Sequence, residues 1–292
     1  MGTAGQGHRH RDLSVGRLSQ AEVDAFERDG YLAPVDVFTV EEARHWRADL
    51  EAFERTLPSG PVSAGDRRKL HVRCPWARDL VEDPRLLDVM ESLLGPDILV
   101  YTSTFFIKEP NTHAITAWHQ DATFFGLQPY EHVTAWVALS EASIEAGCME
   151  FIPGSHRWGQ LAHGQTALPG TINAGARSIS APMDTSSAVF APVRTGQVSL
   201  HHTLTAHNSP PNRSTDRRIG FGISYIPTRL RHSGSKRMSA TLVRGTDRYG
   251  HFDAEDDPRT LSAEAQAEAH TRAYGRYREC HAEQAARYGY IG

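Results

Sequence analysis

Cysteine is scarce in this chain. Three in 292 residues, Cys74, Cys148 and Cys280, stand too far apart for a disulfide framework or a thiolate zinc motif. Long apolar runs are missing too: none approaches the ~20 residues of a membrane-crossing helix. The first residues lack the apolar stretch of a secretory signal. With thiols of this kind, the expectation is a cytoplasmic protein. Neither sign of charge dominates. Lys and Arg number 31 against 35 acids, for a net charge of −4, which argues against nucleic acid or an anionic membrane as partner. No internal repeat is visible. Hydrophobic content of 39% and charged content of 23% are ordinary for a globular chain long enough to bury a sizeable core. Histidine, at 16 residues, is plentiful.

Along the chain, residues 1–17 read as a disordered leader and 18–292 as a single domain. Ser19 to Glu22 and Thr39 to Glu42 are capping boxes, each opening a helix. The first helix ends at Gly30, and Tyr31–Pro34 is a short extended piece. The second helix stops near Pro58, and 58–68 reads as a loop. Lys69–Trp76 alternates and reads as extended, with Lys69, His71 and Arg73 on one face. Asp83-Pro84 starts another helix that Gly95 ends. From residue 97 the period changes to that of strands: 98–108, 116–121, 133–139, 149–152, 198–207 and 219–226. Tyr130–His132 reads as a surface turn. Residues 155–190 are polar, with weak periodicity, and read as a long insertion that covers a pocket. Residues 262–288 return to helix-forming composition. Helices, then strands, then a helix argue an α+β fold or a β-barrel core with helical flanks.

Within the strand region lies Trp118-His119-Gln120-Asp121. Side chains two apart on a strand share a face, so His119 and Asp121 present one imidazole and one carboxylate together. Two histidines and one carboxylate with open positions form the usual holder of non-haem Fe(II) in oxygenases. His-x-Asp occurs three times, at His10, His119 and His251. His10 lies in the leader and His251 in an acidic loop, so His119 alone has a strand beneath it. The second histidine is to be sought among His201, His202, His207 and His232. His207 has the best surroundings, ending a strand-like run before a Pro-rich turn. Eleven positions later Arg218 opens an apolar strand, where an inward guanidinium needs an anion.

The blocks HQD at 119–121, GCMEFIPGSH at 147–156 and HNSPPNRSTDRR at 207–218 resemble, in this order, the phytanoyl-CoA hydroxylase family of Fe(II)/2-oxoglutarate-dependent oxygenases. The resemblance covers about residues 20–230. It implies a double-stranded β-helix, a jelly-roll of cupin-like form, with flanking N- and C-terminal helices. It implies Fe(II) held by His119, Asp121 and His207, and 2-oxoglutarate held by Arg218 and Ser209, with Trp136 flanking it. Lys108, Lys69 and His71 fall where relatives place polar groups near the pocket. Relatives that chlorinate replace the carboxylate with Ala or Gly; Asp121 is retained here, which favours hydroxylation.

The implied reaction consumes O2 and a small-molecule substrate and releases succinate and CO2, with ascorbate as the in vitro reductant. Desaturation, epoxidation and cyclisation are the alternatives within the same chemistry. A jelly-roll protein that binds without turnover is the alternative outside it, and intact Arg218 and Ser209 argue against that. Without those partners, His119 and Asp121 would read as a structural hydrogen-bonded pair. Trp118, Phe124, Phe125 and Trp136 read as barrel core before pocket wall. Cys148 reads as a buried structural thiol.

Overall fold

The computed structural model describes residues 17–57, 66–166, 168–173 and 177–287. All of the expected leader but Arg17, and most of the 58–68 loop, lie outside the described residues. Both capping boxes form. Ser19 and Glu22 exchange side-chain to backbone hydrogen bonds and open α1, Gln20–Asp29, which Gly30 ends at φ 78°. Thr39 and Glu42 do the same for α2, Val40–Thr56. Each cap occupies N–H groups a helix start leaves bare, at about 1 kcal/mol. α3, Pro75–Val81, and α4, Pro84–Leu94, begin on proline, whose missing N–H costs nothing there. α5 is one turn, Ala122–Phe125, and α6 runs Ala263–Arg287.

In chain order the strands are β1 Tyr31–Asp36, β2 Ile98–Lys108, β3 Thr116–His119, β4 Leu127–Gln128, β5 Val133–Ala138, β6 Met149–Phe151 and β7 His163–Gln165. They continue as β8 Arg177–Ile179, β9 Val189–Ala191, β10 Gln197–His202, β11 His207–Ser209, β12 Arg218–Pro227, β13 Arg231–His232, β14 Ser239–Arg244 and β15 Asp253–Ala254. Seven pair in the order β1-β10-β5-β12-β2-β14-β15, antiparallel except for β14 with β15. Four more form the second sheet, β3-β11-β6-β9. The fold is α+β, with a double-stranded β-helix core and helices on its flanks.

Period-two alternation divides the large sheet into an oily face and a working face. Ile219, Phe221, Ile223 and Tyr225 of β12 pack outward with Val133, Ala135 and Val137 of β5 and Val198 and Leu200 of β10. The helices supply the other half of this core, including Phe26, Leu50, Leu80, Leu86 and Met90. Each such side chain contributes about 1.5–3 kcal/mol by leaving water, which fixes the sheet's register. The intervening residues of β12, Arg218, Gly220, Gly222 and Ser224, therefore turn inward. A Cβ on Gly220 would lie 1.8 Å from the Trp136 ring, so only glycine leaves room for that indole.

Several expectations fail, each for a non-local reason. Lys69–Trp76 is not extended: Leu70–Val72 form a 3-10 turn and Pro75 starts α3. Alternating Lys69, Leu70, His71 and Val72 imitates a strand, yet all four are buried. Glu255, far along the chain, provides the counter-charge: Lys69 Nζ pairs with one oxygen and His71 Nε2 with the other at 3.1 Å. The expected strand 198–207 breaks after His202, and His207 opens β11 in the other sheet. The turn is pinned where His202 N and Thr205 Oγ1 both donate to Gly30 O. His132 is not in a surface turn but fully buried, bonded to Thr203 and Thr134. The expected insertion, residues 155–190, is not among these failures: its described part holds β7, β8 and the first two residues of β9, and Asn173 exchanges two hydrogen bonds with the Ala117 backbone at 2.7 and 3.1 Å.

Candidate active site

His119 and His207 meet because β3 and β11 pair in register, His119 opposite His207. Their ring centroids are 4.1 Å apart. Each imidazole is anchored from behind. His119 Nδ1 donates to Ala117 O, and His207 Nδ1 to Thr205 O, both at 2.9 Å. That hydrogen bond fixes the tautomer and leaves Nε2 with a lone pair.

Asp121 arrives differently from the expectation. It has left the strand, with φ −60° and ψ −35°, and precedes α5. The turn still brings its Oδ1 to 3.7 Å from His119 Nε2. One ligand atom from each of His119, Asp121 and His207 falls within 4.8 Å of the others. The second carboxylate oxygen is occupied: Thr134 Oγ1 donates to Oδ2 at 2.9 Å and His201 Nε2 at 3.2 Å. One oxygen is held and the other is left for a metal.

The electrostatics suit a cation. Burial, with His201 adding to it, pushes the His119 imidazolium down despite Asp121, and burial with His119 and His201 puts His207 well below its ordinary range. Burial alone would raise Asp121, but the His201 hydrogen bond and His207 outweigh it and hold the carboxyl well below its usual value. Two neutral imidazoles and a carboxylate are the protonation states metal binding requires. Among the described residues this is the one cluster of such groups that could hold a metal ion.

A cavity opens from this point. Trp136, Ser209 and Arg218 line one end of it. Arg218 is 2% exposed and makes no ion pair among the described residues. Its Nη1 donates to Gly147 O and Ser209 Oγ, both at 3.1 Å, while Nε has no partner. The guanidinium carbon lies 5.3 Å from the Trp136 ring centroid. Burial lowers Arg218 to about 10. A buried guanidinium with unspent donors beside a cavity is a seat for an anion.

Lys108 stands behind that seat, opposite Arg218 in register. Its Nζ donates to Ser209 O at 2.7 Å and Ser209 Oγ at 2.6 Å. Burial, together with neighbouring Arg218, lowers it to about 6. Arg217 faces the other way and pairs with Glu54 and Glu109.

His201 was not matched to a role by sequence reasoning, although it stands two residues of strand alternation from Ser199 on the inward face of β10. Lys69 and His71 do not reach the cavity; they belong to the Glu255 cluster. His202 donates to Tyr130 O at 2.7 Å and is structural. His232 lies in β13, paired with Leu127 of β4, and His251 stacks on Tyr249. Phe125 lines the cavity, as does Trp136.

A family model described as phytanoyl-CoA dioxygenase (PhyH) matches residues 26–220. The chain belongs to the phytanoyl-CoA dioxygenase family. It is similar to a solved non-heme monooxygenase, ThoJ in its apo form, at 32% identity and a TM-score of 0.81, covering 91% of this chain and 99% of that one. CytC3, solved with Fe(II) and alpha-ketoglutarate, is 26% identical with a TM-score of 0.62, over 83% of this chain and 95% of that one. A curated relative, the probable alpha-ketoglutarate-dependent hypophosphite dioxygenase of Stutzerimonas stutzeri, is 31% identical over 61% of this chain and 63% of that protein. The chain spans between 50% and 71% of the length of curated relatives that it matches. No helix among the described residues is long and apolar enough to cross a membrane.

Proposed function

We propose that this protein is an Fe(II)- and 2-oxoglutarate-dependent dioxygenase that hydroxylates a C–H bond of a small molecule. The observation that carries the reading is the aim of four separate groups at one cavity. Two imidazoles tied by Nδ1 turn Nε2 to the same point as Asp121 Oδ1, and Arg218 waits on the same wall. His119, Asp121 and His207 are the ligands in this reading. Arg218 binds the remote carboxylate of 2-oxoglutarate through its fork, Ser209 Oγ orients that fork, and Trp136 walls the co-substrate in. Iron bound there would couple O2 and 2-oxoglutarate to succinate, CO2 and a substrate in which C–H has become C–OH. The protein's own part is to hold, orient and exclude water.

Residues 155–190 serve as a cover over the substrate side in this reading, supported by Ile172 and Asn173 lining the cavity beside the triad. The domain spans 18–292. Three free, buried thiols support a cytoplasmic setting. The test is succinate release from 2-oxoglutarate with Fe(II), ascorbate and O2. Uncoupled release by the wild type, lost in Asp121→Ala, is expected. Fe(II)-loaded protein that binds 2-oxoglutarate but never yields succinate would instead mark a binding protein.

A further inference from the structure

The cavity has a second chamber. It shares His119, Asp121, Thr104, Thr116, Phe106 and Phe125 with the first and, unlike it, is not lined by Arg218. If 2-oxoglutarate fills the Arg218 end, as the proposed function has it, the substrate is left with this other side. Its walls therefore describe the substrate.

The walls are flat and aromatic. Phe106 comes from β2 and remains 38% exposed, unusual for a large apolar side chain on the inner face of a barrel. It lies over Gly222, where a Cβ would come 2.7 Å from the ring, so the strand is cut back to seat it. α6 contributes Tyr277 and His281 to the same lining. His281 stacks on Phe124 with centroids 5.9 Å apart and planes 10° from parallel. Burial, with Arg68 and Arg177 nearby, lowers the His281 imidazolium to about 4, so that ring is neutral near pH 7.

The charge is one-sided. Among the described residues lining the chamber, Asp121 is the sole acid and Arg68 the sole Lys or Arg. Asp121 is already committed, with Thr134 and His201 on one oxygen and the metal point at the other. Arg68 and Tyr277 line this chamber together with the aromatic pair. A cationic substrate would meet no counter-charge here. An anionic one would meet a guanidinium beside rings.

We propose that the chamber takes an aromatic acid: a flat ring set between Phe106 and the Phe124–His281 pair, with a carboxylate directed to Arg68. Ring contacts of this kind favour offset or edge packing over aliphatic bulk, and the guanidinium selects a carboxylate over its amide.

The experiment uses full-length protein loaded anaerobically with Fe(II) and 2-oxoglutarate. The probes are 3-phenylpropionate, 3-phenylpropanamide, 3-phenylpropylamine and 3-cyclohexylpropionate. Affinity is read by calorimetry, and perturbation of the metal-to-ligand charge-transfer band reports arrival beside the metal. The phenyl acid should bind at least about 10-fold more tightly than the amide or the amine, as expected for one charge-assisted hydrogen bond. It should also outbind the cyclohexyl acid. Arg68→Gln should bring acid and amide level while the charge-transfer band still forms, and Phe106→Ala should erase the preference for the phenyl ring. Amine binding as tight as the acid, or no binding of the phenyl acid at about 10 mM, overturns the proposal. A wild type that forms no charge-transfer band at all overturns the iron reading instead, so the two failures are distinct.

Discussion

Replacing Arg218 by alanine separates the carboxylate seat from the metal point. The guanidinium spends two hydrogen bonds on Gly147 O and Ser209 Oγ and pairs with no acid among the described residues. Its removal therefore strands no buried carboxylate, and the fold should survive. What is lost is the pair of N–H groups offered to 2-oxoglutarate. A hydrogen bond between charged groups is worth about 1.5–3 kcal/mol, so the dissociation constant for 2-oxoglutarate should rise roughly 10- to 100-fold. Fe(II) affinity should be unchanged. Arg218→Lys should recover only part, because a point charge replaces a fork. Arg217→Ala should do the opposite. Arg217 Nη1 and Nη2 bind Glu54 at 2.8 and 2.9 Å, and Glu54 is buried, so stability falls while 2-oxoglutarate affinity holds. Anaerobic 2-oxoglutarate titration of each Fe(II)-loaded variant, beside a thermal melt, reads both quantities. If Arg217→Ala weakened 2-oxoglutarate and Arg218→Ala were silent, the inward face of β12 would be misassigned.

Glu255→Gln leaves the buried Lys69 ammonium without its counter-charge and should cost about 3–5 kcal/mol in urea unfolding; a loss under about 1 kcal/mol would refute the cluster's role. Burial works against the Glu255 carboxylate, yet Lys69 and His71 hold it well below 4.5. Its contribution is thus present above the unfolded value and lost as pH falls below it, so wild type should lose more stability than Glu255→Gln on acidification. His201→Phe frees Asp121 Oδ2 from one of its two donors and should weaken metal affinity by about 10-fold or more in a competition titration, with unchanged affinity refuting a positioning role. An anion beside Arg218 should raise Lys108 from about 6, so 2-oxoglutarate binding should take up a proton near pH 7.5 and weaken as pH rises. Calorimetry in buffers of different ionisation enthalpy measures this uptake, and Lys108→Met should abolish it.

Much of the fold was legible because local signals were consistent. Two capping boxes, the Asp83-Pro84 start and the alternation of β12 name their elements without tertiary help. The alternation also put Arg218 on the inward face. The metal cluster was legible through spacing plus resemblance, yet the stated geometry was partly wrong: Asp121 leaves the strand and reaches the metal point from a helical turn. The break between His202 and His207 was hidden because Thr203–Ala206 is compatible with a strand and is turned by Gly30, which lies far away in sequence. Lys69 and His71 read as one face of an extended run because Glu255 was out of view. His201 could have been found from its phase: it shares the inward face of β10 with Ser199, and a buried imidazole there needs a partner. Nothing in residues 262–288 announced that Tyr277 and His281 would wall the chamber, since helix-forming composition says nothing of where a helix docks.

The most direct test of the central claim is the visible charge-transfer band formed when Fe(II) and 2-oxoglutarate are added without O2. Wild type and His251→Ala should both give the band. His119→Ala, Asp121→Ala and His207→Ala should each lose it, with protein still folded by circular dichroism, because three ligands leave no redundancy. A band that survives His207→Ala, or disappears in His251→Ala, would contradict the assignment of the metal to the β3–β11 pair.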